Sequence, residues 1–227
     1  MEQAPVVIAR WSGPRGEVVL RRRGDGDGAV DELIVNGAFA MDSAETHSER
    51  ALAALARPGD AVLVGGLGLG FTACALLEAG VESVDVVEIE EALVGWAREG
   101  LTPQWARVAR DPRVRLWIAD VRSVLSRPEV PPRGPWDAIL LDVDNGPDFL
   151  IHAENAGLYE GETLAAAYGR LAPGGILAIW CQGPHAALFA RLRTLDPQAR
   201  ELVHEVRRGR HLISYAIYTV RAGGRRS

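Results

Sequence analysis

Residues 60–90 read DAVLVGGLGLGFTACALLEAGVESVDVVEIE, and the order of these parts decides the fold. DAVLVGG is a short apolar run typical of a buried strand. A glycine-rich turn follows, then FTACALLEAG as a helix ended by Gly80, then SVDVVEI as a second strand. The alternation continues downstream. EEALVGWAREGL is a helix and VRLWIAD a third strand. DVRSVLSRPEVPPRG holds one short helical turn at most, and WDAILLDVD is a fourth strand. GETLAAAYGRLAPGG is a helix with a Gly-Gly exit, ILAIWCQ a fifth strand and HAALFARLRTL another helix. RELVHEVRR and HLISYAIYTVRA can pair antiparallel around Arg208–Arg210. Strands alternating with helices imply a mostly parallel sheet joined by right-handed crossovers. The Val/Ile/Leu-rich strands fit a sheet covered on both faces.

Upstream, residues 1–45 read as β structure. VVIAR, EVVLRRR and ELIVNGAF are separated by the turn sequences SGPRG and GDGDG. SERALAALA is helical, with apolar positions at Ala51, Leu52, Leu55 and Ala56, and RPGD ends it. The expected organisation is an N-terminal strand and hairpin segment over 1–45, a Rossmann-like domain over 46–221 and a tail over 222–227.

Composition narrows the function classes. The 227 residues are 48% apolar and 24% charged, which excludes a disordered chain, a collagen and a disulfide scaffold. No apolar run approaches the ~20 residues of a membrane span. MEQAPVVIARW lacks the layout of a secretion signal, so the expected compartment is the cytoplasm. All 25 basic residues are Arg. Without lysine there is no Walker lysine and no Schiff-base chemistry. Cys74 and Cys181 stand far apart in apolar runs, so they read as buried hydrophobes and no metal site is expected. Net charge is −5, and no nucleic-acid partner is expected. Residues 191–227 carry nine Arg against Asp196, Glu201 and Glu205, which reads as a solvated face with a frayed end.

Ligands of open α/β sheets bind at the carboxyl ends of the strands. Gly65, Gly66, Gly68 and Gly70 follow the first core strand, Glu88 the second, Asp120 the third, and Asp142, Asp144 and Asn145 the fourth. Glycines let a backbone approach a ligand and leave N–H groups free at the next helix. A carboxylate at Glu88 can accept both hydroxyls of a ribose, and one at Asp120 can accept from an adenine amino group. Ile89 and Val121 stand beside them as further cofactor contacts. The plain alternative is that Glu88 and Asp120 cap helices. NAD sites use Gly-x-Gly-x-x-Gly, whereas Gly66, Gly68 and Gly70 give Gly-x-Gly-x-Gly. That spacing and the terminal antiparallel pair favour S-adenosylmethionine (AdoMet) or a relative.

With these residues in place, the chain resembles the spermidine synthase family from about Ile34 to Gln182. LIVNGAFAMDS with HSERALAALA, VLVGGLGLG, VDVVEIE, WDAILLDVDNGP and NAGLYEGETLAAAYGRLAPGGILAIWCQGP carry the likeness. The resemblance implies a class I AdoMet-dependent fold with strand order 3-2-1-4-5-7-6. It also implies Glu88 as the ribose acid, Asp120 as the adenine acid and Asp142 as the first acid of the catalytic loop. The amine half departs from the family. Its glycine-turn Asp is Gly68 here, its second loop Asp is Asn145, its Gln after the Asn-Gly turn is Ala40, and its Tyr-His-Glu is His47-Ser48-Glu49.

A polyamine site needs acids to hold a cation and a base to deprotonate the attacking nitrogen. The missing acids therefore favour methyl transfer from AdoMet to a small-molecule acceptor. The alternatives are aminopropyl transfer from decarboxylated AdoMet to a polyamine, and a non-catalytic AdoMet- or nucleoside-binding protein. Asp142 and Asp144 are the candidate catalytic acids. Asn145, His47 and Tyr159 are the candidate substrate contacts. An Asx-turn that merely shapes the loop is an equal reading of Asp144 and Asn145. His152 faces either the pocket or the surface, and Trp180 either walls the pocket or packs in the core. No membrane partner is expected. A homodimer is compatible with the resemblance, with no interface fixed.

Overall fold

The computed structural model describes residues 4–143, 146–147, 153–208 and 211–223. Two sheets organise them. The first is antiparallel in the order β1 (Val6–Gly13), β2 (Gly16–Arg23), β3 (Val30–Val35) and β4 (Ala38–Asp42). The second has seven strands. From one edge to the other they run β10 (Arg200–Arg208), β11 (His211–Arg221), β9 (Leu171–Cys181), β8 (Trp136–Leu141), β5 (Ala61–Gly65), β6 (Ser83–Glu88) and β7 (Val114–Ile118). Strands β5 to β9 pair in parallel, and β11 joins antiparallel to both β9 and β10. This is the expected order 3-2-1-4-5-7-6. Among the described residues no helix is long and apolar enough to cross a membrane.

Period-two alternation sends successive strand residues to two separate cores. Val62, Val64, Leu140 and Ala178 point to one face, and Leu63, Ile139, Leu141 and Leu177 to the other. The first face is covered by α1 (His47–Ala53), α2 (Phe71–Ala79), α3 (Glu91–Glu99) and α4 (Pro103–Arg110). Val18, Leu20, Leu33 and Val35 of the small sheet join that same core. The opposite face is covered by α5 (Val121–Ser126), α6 (Gly161–Gly169) and α7 (Ala186–Leu195). Cys74 and Cys181 are buried, one in each core.

Two elements sharpen the sequence reading. The run ELIVNGAF turns at Asn36–Gly37, as the resemblance implies, so it is two strands. Asn36 and Gly37 adopt φ 52° and 76°, which splits it into the β3–β4 hairpin. Asn36 also accepts from Glu17 N at 2.9 Å and donates to Arg15 O at 3.1 Å, tying this turn to the β1–β2 hairpin. Helix α4 occupies residues to which the sequence reading assigns no element. Its signals are present: Thr102 Oγ1 accepts from Trp105 N at 3.2 Å, and Pro103 holds the first helical position.

Trp136 is buried in the second core, Trp117 packs partly buried against it, and the two share a partner. Asp85, midway along β6 and 2% exposed, accepts from the indole N–H groups of Trp117 at 2.8 Å and Trp136 at 3.2 Å. Arg115 pairs with the same carboxylate at 2.8 Å. A buried charge is tolerated only when its lone pairs are used in this way.

Candidate active site

The carboxyl ends of the central strands open into one cleft. Its floor is the turn after β5, and its roof comes from β3, β4 and the first turn of α1. Gly66 lets the turn approach the loop after β8. Its φ is 94°, and a Cβ there would lie 2.3 Å from Asp142 O. Gly66 N donates to Val87 O at 2.9 Å, and Gly68 O accepts from Trp105 Nε1 at 2.9 Å. Gly66 and Gly68 line the cleft, whereas Gly65 ends β5 and Gly70, with φ 87°, caps α2.

Glu88 is buried at the end of β6. Its two carboxylate oxygens accept from Leu67 N and Glu90 N, each at 2.8 Å. Burial pushes its carboxyl above the usual range, and the backbone donors oppose that rise. Ile89 N–H also donates to the carboxylate, whose four lone-pair sites still leave room for a ligand donor. Asp120 is indeed a helix cap: it accepts from Arg122 N at 2.8 Å and Ser123 Oγ at 3.2 Å at the start of α5. It also lines the cleft, so the two roles coexist. Ile89 and Val121 lie on the same wall.

Asp142 sits where the loop after β8 meets the turn. Its Oδ2 accepts from Thr72 Oγ1 at 2.7 Å, and its N–H donates to Gly65 O at 2.9 Å. Burial raises its carboxyl, against the pull of the Thr72 hydroxyl. Beside it stands an acid that the strand-end rule does not reach. Glu49 of α1 is 8% exposed and lines the cleft. Burial first, and the Asp142 charge second, push its carboxyl up to about 7. Ser48 Oγ donates to it at 2.6 Å.

The substrate contacts read from the sequence fare differently. His47 is not on the cleft. Its side chain is 79% exposed beside Glu45. On a helix, positions two apart point to nearly opposite sides, so Glu49 faces inward and His47 outward. Tyr159 is not a wall residue either. It is 2% exposed in the second core, and its hydroxyl donates to Val143 O at 2.8 Å, bracing the loop from below. Asp144, Asn145 and His152 lie outside the described residues. Trp180 is on the wall, and its buried Nε1 has no hydrogen-bond partner among the described residues. Met41 of β4 was not a sequence candidate. Its sulfur accepts from Leu69 N at 3.2 Å and would lie 2.6 Å from a Cβ at residue 68. The thioether therefore occupies the space that a side chain at Gly68 would need.

No family model matches the chain. A polyamine aminopropyltransferase of Mycobacterium tuberculosis is 31% identical over 196 residues, or 85% of this chain and 36% of that one. The chain thus spans about a third of the length of the curated relatives it matches. Its backbone matches a spermidine synthase solved with the transition-state analogue AdoDATO. The TM-score is 0.75 at 20% identity, over 94% of this chain and 73% of that one. Human methyltransferase-like protein 13, solved with SAH, matches at TM-score 0.56 and 20% identity, over 81% of this chain and 84% of that one. The structural matches establish a Rossmann-like, methyltransferase-type α/β fold. Together with the sequence relative they narrow it: the chain is spermidine synthase-like.

Proposed function

We propose that this protein is an aminopropyltransferase that uses decarboxylated AdoMet as donor and a polyamine-type amine as acceptor. One observation carries the choice: Glu49, Glu88, Glu90, Asp120 and Asp142 line the cleft, and no basic residue does so among the described residues. AdoMet brings a sulfonium, an ammonium and a carboxylate. Its decarboxylated form brings the two cations alone, and a diamine acceptor brings two more. An acidic, partly desolvated wall attracts the cations and repels the carboxylate. Glu88 and Asp120 take the ribose and adenine, while Asp142 faces the reacting end. The protein's share of the chemistry is alignment and exclusion of water, because the sulfonium supplies the leaving group. The polyamine aminopropyltransferase relative supports the same reading.

Methyl transfer from AdoMet is the second reading, favoured by Gly68, which leaves the turn without an acid opposite the donor's carboxylate. Calorimetric titration with each donor, followed by mass analysis of the product formed with 1,4-diaminobutane, tests the choice. At least tenfold tighter binding of decarboxylated AdoMet (about 1.4 kcal/mol) and a product heavier by one aminopropyl group are expected. Tighter AdoMet binding and a methylated product would overturn it.

A further inference from the structure

An aminopropyl transfer needs a base, because the acceptor amine arrives as an ammonium without a lone pair. Asn145 stands where the resemblance implies a loop acid, and Met41 fills the place of the turn acid at Gly68. Of the cleft acids, Glu88 and Asp120 serve the nucleoside and Glu90 pairs with Arg15 at 2.8 Å, which leaves Glu49 and its neighbour Asp142. Glu49 lies on α1 with Leu52 and Ala53, at the three- and four-residue spacing that turns one helix face inward. Among the described residues it has no cationic partner, and its one hydrogen bond from another residue comes from Ser48 Oγ. The charged or titratable groups around it are Asp142 after β8, Glu45 before α1 and Tyr215 on β11. The first two are acids, and the third is a phenol.

Building on the aminopropyl reading, we propose that Glu49 is the proton acceptor for the attacking amine, with Asp142 as the neighbouring charge that holds the ammonium. The ammonium gives its proton to the Glu49 carboxylate. The freed nitrogen lone pair attacks the propyl methylene bound to sulfur. The C–S bond breaks with its electron pair going to sulfur, which leaves as a neutral thioether, and the new secondary amine carries the remaining positive charge. Glu49 then releases its proton to water. Its position beside Asp142 suits this work, because a carboxyl held near 7 accepts protons far better than one at 4.5.

The test compares wild type and E49Q in three measurements: the pH profile of kcat/KM with decarboxylated AdoMet and 1,4-diaminobutane, kcat itself, and calorimetric binding of decarboxylated AdoMet. The profile of the wild type should fall on its acid side near pH 7. E49Q should lose that limb and lose ~10²–10⁴-fold in kcat, while still binding the donor, more weakly for want of one cleft charge, which shows that the variant is folded. An E49Q enzyme that keeps its kcat within about threefold, or keeps the acid limb, would overturn the role of Glu49 and leave aminopropyl transfer standing. A wild type that transfers no aminopropyl group overturns both.

Discussion

Holding Glu49 at about 7 costs the folded state stability, and the cost can be measured without any substrate. The group titrates near its ordinary 4.5 in the unfolded chain and near 7 in the cleft. The folded state therefore holds more protons than the unfolded state between these values. Stability contributed at this site falls as pH rises through that window, and the loss is complete above it. The difference is worth ~3 kcal/mol at pH 8. Because Glu49 is buried, solvent screening removes little of it. Gln keeps the size of the side chain and can still accept from Ser48 Oγ, but carries no charge. E49Q should therefore match wild type at pH 4.5 and gain ~3 kcal/mol by pH 8, or about 6–12 °C in Tm for a chain of this size. Urea unfolding of both proteins from pH 4.5 to 8.5 gives the difference directly. A gap that does not change with pH, or a less stable E49Q at pH 8, would refute the account. A stability gain that comes with lost activity is the trade expected at a working site.

Four further outcomes follow from the geometry. Gly66→Ala places a Cβ 2.3 Å from Asp142 O at φ 94° and should lower the unfolding free energy by more than ~2 kcal/mol; an unchanged urea midpoint would contradict this close approach. Gly68→Asp should destabilise by roughly 1–2 kcal/mol, and adding Met41→Ala should recover much of that loss in a double-mutant cycle, with additive effects contradicting the contact. Asp85→Asn swaps one acceptor for a donor amid two indole N–H groups and Arg115, so thermal unfolding should show a loss of about 1–3 kcal/mol at neutral pH. Tyr159→Phe leaves Val143 O without its hydroxyl partner, next to Asp142. Stability should drop by about 1 kcal/mol and kcat should fall as the loop loosens, whereas wild-type values of both would show that the hydroxyl braces nothing.

How far the site can be read from the sequence depends on which rule places each residue. Glu88, Asp120 and Asp142 each end a strand, and parallel strands bring their carboxyl ends to one rim whatever the details of packing. The glycines between β5 and α2 are legible for the same reason. Glu49 is not at a strand end. Its signals are its place in His47-Ser48-Glu49, where it keeps the Glu of the family's Tyr-His-Glu, and its register with Leu52 and Ala53, since a carboxylate in phase with an apolar helix face is directed inward. His47 draws attention by its chemistry, but its phase on the same helix turns it outward. Tyr159 is misread for a related reason: its neighbours in sequence suggest a wall residue, whereas its burial depends on how the 3₁₀ turn Ala153–Tyr159 seats against β8 and α6.

The sequence by itself determined the alternation of strands and helices and the acids that gather at the rim of the sheet, while the strand order came only as what the family resemblance implies. Apolar period and strand-end position are local properties, and the hydrophobic effect acts on them wherever they lie in the chain. Only the tertiary structure decided what lies over that rim. The β3–β4 hairpin and α1 lie 12 to 35 residues before Gly65, and no spacing rule says that Met41 will sit on Gly68 or that Glu49 will stand beside Asp142. Those juxtapositions follow from the small sheet burying Leu33 and Val35 against the same core as α1 and α2, and close packing then leaves these side chains no other place to point.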